Sequence, residues 1–75
     1  MTRIVGYAKY QEAPYLIFNI PEDSLDKVLE VVGVSAHELL ESDIYLDDIM
    51  VIKLRDILNV WITDIDIEKN DWMLE

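Results

Sequence analysis

Apolar side chains along this chain recur with two periods, and the periods lay out the elements. Arg3 to Tyr10 alternates loosely, with Ile4 and Gly6 on one side and Val5, Tyr7 and Lys9 on the other, which predicts a strand. Gln11–Glu12–Ala13–Pro14 has turn character because Pro14 fixes φ and lacks an N–H; Tyr15–Leu16–Ile17–Phe18–Asn19–Ile20 then predicts a second, mostly buried strand, antiparallel to the first. Pro21 stops that strand. Glu22–Asp23–Ser24 places acids and a capping hydroxyl at the head of a helix in which Leu25, Val28, Leu29 and Val32 recur at i, i+3, i+4 and i+7. Gly33 supplies a left-handed terminator, and Ser35–Ala36–His37–Glu38 has the form of a capping box opening a short second helix through Leu39, Leu40 and Glu41.

Ser42–Asp43–Ile44–Tyr45–Leu46 reads as a connector, after which Asp47 or Asp48 caps a third helix with a Met50, Leu54, Ile57 and Leu58 stripe, ended by Asn59. From Trp61 the period returns to two. Trp61, Thr63, Ile65 and Ile67 fall on one side of a terminal strand, and Ile62, Asp64, Asp66 and Glu68 on the other. Neighbouring acids in that outward row stand about 6.5 Å apart at the ~3.3 Å rise of a strand. The expected fold is α+β: one domain over residues 1–75, a three-stranded antiparallel sheet with two to three helices on one face, in the order β-β-α-α-α-β.

Charge changes this picture more than composition does. Sixteen acids against six bases give −10, distributed as +1 over residues 1–20, −8 over 21–48 and −3 over 49–75. Such a field repels nucleic acid, whose binding needs clustered Lys and Arg, and speeds encounter with basic proteins. The stretch Ser35 to Ser42, placed like the recognition helix of a helix-turn-helix, carries Glu38 and Glu41 and no base, which excludes DNA readout. At 52% hydrophobic residues the chain has material for a packed core, and without cysteine it has neither a disulfide frame nor a thiolate metal site. The opening Met1–Val5 holds no apolar signal core and no run approaches a membrane span, so the expectation is a cytosolic protein that does not enter a membrane.

Little in the chain points to catalysis. His37 is the only histidine and sits inside a capping box, away from any serine free to act as its nucleophile. Asp66–Ile67–Glu68–Lys69–Asn70–Asp71 imitates the opening of a calcium loop, but Asp71 stands where the sharp turn demands glycine. No catalytic residue, metal or cofactor is therefore assigned. The aromatic residues are better suited to contact: Trp61 and Phe18 are expected in the core, whereas Tyr45, between Asp43 and Asp47–Asp48, and Trp72, in a polar tail, are expected as anchors at an interface.

The terminal Asp71–Trp72–Met73–Leu74–Glu75, together with Asp43, Tyr45 and Asp66 and the order of elements, resembles a family of small acidic bacterial domains of unknown function. Members end in Asp–aromatic–aromatic–Leu–Glu; here Met73 replaces the second aromatic, and Leu46 stands where a proline is usual. Such domains look like the immunity proteins that accompany secreted bacterial toxins, and the resemblance implies a protein that binds and neutralises a basic toxin domain, in some cases a nuclease. The expected partner-binding surface comprises Glu38, Glu41, Asp43, Tyr45, Asp47, Asp48, Asp64, Asp66, Glu68 and Trp72. Two further readings stand beside it: a structural module that self-associates through a sheet edge or helix face, and a phage-encoded inhibitor whose two-residue acid spacing imitates the phosphate step of nucleic acid.

Overall fold

Several turns between the described elements are set by local hydrogen bonds that the residues themselves supply. The computed structural model describes residues 2–9 and 14–75; Tyr10 and the expected turn residues Gln11, Glu12 and Ala13 lie outside them. The elements are β1 (Arg3–Ala8), β2 (Pro14–Asn19), a 3₁₀ turn (Glu22–Ser24), α1 (Leu25–Val32), α2 (Ala36–Glu41), β3 (Ile44–Leu46), α3 (Asp48–Leu58), α4 (Asp64–Lys69) and β4 (Asn70–Leu74). Ser24 enters α1 without a side-chain cap and instead closes the 3₁₀ turn, its N–H donating to the Pro21 carbonyl at 3.0 Å. Gly33 ends α1 at φ 81° and Asn59 ends α3 at φ 53°, both left-handed as expected. The Ser35 hydroxyl accepts the Glu38 N–H at 3.1 Å and the Asp47 carboxylate accepts the Met50 N–H at 2.8 Å, so these two residues cap α2 and α3.

The sheet has four strands rather than three, all antiparallel, in the order β2-β1-β4-β3. Two expectations fail for one reason. Trp61 to Glu68 is not a strand: Thr63 caps α4, its hydroxyl accepting the Asp66 N–H at 3.1 Å while the Asp66 carboxylate accepts the Thr63 N–H at 3.2 Å. Arg55 locks the approach, its Nη1 donating to the Ile62 carbonyl at 3.1 Å and to Asp64 at 2.9 Å. The alternating isoleucines do not mark a buried strand face, since Ile65 is 61% exposed and Ile67 is buried, and the reciprocal cap, worth about 1 kcal/mol, favours the helix. The true terminal strand is β4, whose far side pairs with the supposed connector: Ile44, Tyr45 and Leu46 stand opposite Leu74, Met73 and Trp72.

Helices cover one face of the sheet. Val28, Leu29 and Val32 of α1, Val51 and Leu54 of α3 and Ile67 of α4 close over Ile4, Leu46, Trp72 and Leu74. The buried stripe of α3 is rotated from the expected one, with Val51 inside and Ile57 exposed, because Val51 shares the line of Met50, Leu54 and Leu58. Trp72 is the largest buried side chain, 1% exposed, and lies across Gly6 of the neighbouring strand, where an added Cβ would stand 2.9 Å from its ring. Among the described residues, no helix is long and apolar enough to cross a membrane.

Candidate protein interface

Alternation along a strand sends every second side chain to the face the helices leave uncovered. With Ile4, Gly6, Trp72 and Leu74 on the helical side, the other face receives Arg3, Val5 and Tyr7 of β1, Ile17 and Asn19 of β2, Met73 of β4 and Tyr45 of β3. The register aligns Ile17, Val5, Met73 and Tyr45 in one row across all four strands. Its ends are open, Ile17 at 49% and Tyr45 at 62% exposure, while Val5 at its middle is 1% exposed without belonging to the helix-side core. One rim of the row is polar. The Tyr7 hydroxyl donates to Glu75 Oε2, and Glu75 Oε1 also meets Arg3 at 3.4 Å. Donation to the Glu75 carboxylate holds the Tyr7 phenol above its ordinary range, with smaller contributions from desolvation and from the charges of Glu75 and Asp43.

Tyr45 stands where two features meet. It belongs to an edge strand, and its chain neighbours Asp43, Asp47 and Asp48 are all exposed. Between Lys27 and Lys53 the sequence holds six carboxylates, Glu30, Glu38, Glu41, Asp43, Asp47 and Asp48, and no Lys or Arg. The contiguous run from Glu38 to Asp48 thus carries six of the ten expected surface residues on α2, β3 and the head of α3, with Glu41 3.0 Å from His37 Nε2 and Asp47 engaged as a cap.

The remaining expected residues fall elsewhere. Asp64 is paired with Arg55 at 2.9 Å, Asp66 is taken up by the cap of α4, and only Glu68 of that group is an exposed carboxylate without such a partner among the described residues. Because these three acids lie on a helix, the strand-like acid row that motivated nucleic-acid mimicry does not exist. Trp72 cannot be a contact anchor: its ring is in the core, 6.4 Å from that of Phe18 between centroids, with its N–H directed to the Ile67 carbonyl at 3.4 Å.

Trp61 takes the opposite fate from the one expected. It is 88% exposed and helps line a shallow open hollow formed by Asn59, Val60, Trp61, Ile62 and Thr63. The exposure of Trp61 was foreshadowed by Thr63–x–x–Asp66, a capping pattern that makes residues 60–62 a linker between helices and leaves the indole free of the core. Among the described residues, no group of three His, Cys, Asp or Glu side chains could hold a metal ion. Comparison with protein-family models, with curated proteins and with solved structures gives no match for this chain.

Proposed function

We propose that this chain is a protein-binding domain of the immunity or inhibitor type, which neutralises a basic bacterial toxin domain by binding it through the acidic surface around Tyr45. The observation that carries the proposal is the setting of that side chain: an aromatic ring 62% exposed on an edge strand, within a stretch of chain that has carboxylates on both sides and no Lys or Arg. An exposed aromatic ring supplies a desolvated centre for an interface, and the surrounding field steers a basic partner toward it. The tail resemblance and the net charge of −10 support the same class of partner.

The test is capture from a lysate of the source cells on immobilised wild-type protein and on an Asp43→Lys/Asp48→Lys variant, followed by association kinetics at rising ionic strength. The expected catch is a basic protein whose association rate falls with salt, and falls at least about tenfold in the variant. Capture that ignores both salt and charge reversal would refute the proposal. A self-associating module is the second reading, favoured by β2: Pro14–Asn19 carries no charged residue, lies at the other sheet edge, and exposes Ile17. Sedimentation of the purified chain over a concentration series distinguishes the two, because only the second reading requires a dimer without a partner.

A further inference from the structure

The ladder itself reveals which backbone groups of β3 are free to pair. Arg3 and Glu75 exchange two hydrogen bonds, each 2.9 Å. In an antiparallel ladder such exchanging pairs recur every second residue, so Val5 with Met73 and Tyr7 with Asp71 also face one another across β1 and β4. The backbone groups of Trp72 and Leu74 therefore point the other way, toward Leu46 and Ile44 of β3. Tyr45, between those two, turns its N–H and C=O out of the sheet, and among the described residues no strand lies beyond it. Further along, the Asp47 carbonyl is already taken by the Val51 N–H at 3.1 Å, which ends the free edge there.

We infer that this edge takes up an extended segment of the basic partner as a fifth strand, paired to the backbone of Tyr45 and selected for alternating basic–x–apolar–x–basic side chains. The inference rests on the proposed function for the existence of a basic partner and adds how that partner is held. Asp43, Tyr45 and Asp47 are two residues apart, and Asp47 is extended at φ −79°, ψ 171°, so the three backbone positions fall on the uncovered face; Asp47 caps α3 through Oδ1 and remains an exposed charge, so Asp43 is the freer of the two flanking acids. An incoming strand places one side chain directly across from Tyr45, and its neighbours two residues away lie nearest the acids. Apolar opposite the ring and basic at the flanks is the combination that avoids an unpaired charge. A second β3 would bring carboxylate against carboxylate, which is how short acidic edges resist pairing with themselves. Three residues offer few hydrogen bonds, so binding must be shared with the side chains, and register is set by the charges.

The experiment uses the whole chain and a short blocked peptide in which Lys and Val alternate around a central Ile, with amide exchange followed residue by residue by NMR. Saturating peptide is expected to slow exchange of the Tyr45 N–H at least about tenfold, as for an amide newly drawn into a ladder. The slowing should vanish with the same peptide N-methylated at the residue opposite Tyr45, and with the Asp43→Lys variant, whose substitution is at an exposed site. Equal binding of a peptide with the same composition in blocked order, binding without protection of Tyr45, or protection of the β2 amides instead would overturn strand addition. None of those results bears on the salt-dependent capture of a native partner, so failure of this inference is separable from failure of the proposed function.

Discussion

Replacing Gly6 by alanine tests the placement of Trp72 directly. The added Cβ would stand 2.9 Å from Cη2 and Cζ3 of the indole and 3.1 Å from Cε3, against a comfortable carbon–carbon separation of about 3.5–4.0 Å. The ring has little room to retreat, since it is 1% exposed and flanked by Phe18 and Leu46. Overpacking of this kind costs about 1–3 kcal/mol. A chain of 75 residues has roughly 4–11 kcal/mol of stability in all at ~0.05–0.15 kcal/mol per residue, so the loss is a large share. At about 4–8 °C per kcal/mol for a domain of this size, Gly6→Ala should lower Tm by roughly 5–20 °C in a far-ultraviolet circular dichroism melt. Trp72→Phe removes the outer ring atoms that collide, so the double variant should be at least about 0.5 kcal/mol more stable than the summed single effects. An unchanged Tm for Gly6→Ala, or strict additivity in the cycle, would show that the indole does not lie on Gly6 and would return Trp72 to the surface.

The cap of α4 offers a second test: Thr63→Ala should cost about 1 kcal/mol in chemical denaturation, and Thr63→Val should cost as much, whereas a strand at this position would tolerate or welcome valine. The two tryptophans should separate by fluorescence, Trp61→Phe leaving a blue-shifted emission that acrylamide quenches poorly and Trp72→Phe leaving a red-shifted, readily quenched one; similar quenching in both would contradict their burial. The Tyr7 phenol should titrate above its ordinary value of 10.0, seen as the absorbance difference between wild type and Tyr7→Phe, and Glu75→Gln should bring it down. Since the folded-state value is the raised one, the stability this contact contributes is fully present below pH 10.0 and is lost as pH rises through the folded-state pKa of Tyr7; a Tyr7 midpoint unmoved by Glu75→Gln would sink that account.

What the sequence determined by itself are the features made by neighbours a few residues apart. Gly33 and Asn59 were marked to end helices because each readily takes the left-handed conformation that terminates one, and Ser35 and one of Asp47 or Asp48 to begin them because their oxygens can reach the N–H three residues on; the structure selects Asp47. The paired strands β1 and β2, the apolar stripe of α1 and the exposed acids around Tyr45 were legible for the same reason. Only the tertiary structure decided the rest. Three residues such as Ile44–Leu46 have no strand of their own to form; they become β3 because β4 presents its second edge to them. Residues 61–68 alternate as a strand would, and that pattern is overridden by the Thr63–Asp66 cap and the grip of Arg55 on Ile62 and Asp64. The exchange of roles between the tryptophans follows. Once Asn70–Leu74 is the central strand beside β1, alternation drives Trp72 against the gap that Gly6 leaves, and Trp61 is stranded in a linker where nothing covers it. Burial is a property of what packs against a residue, and for both rings that partner is a strand or helix distant in sequence or absent altogether.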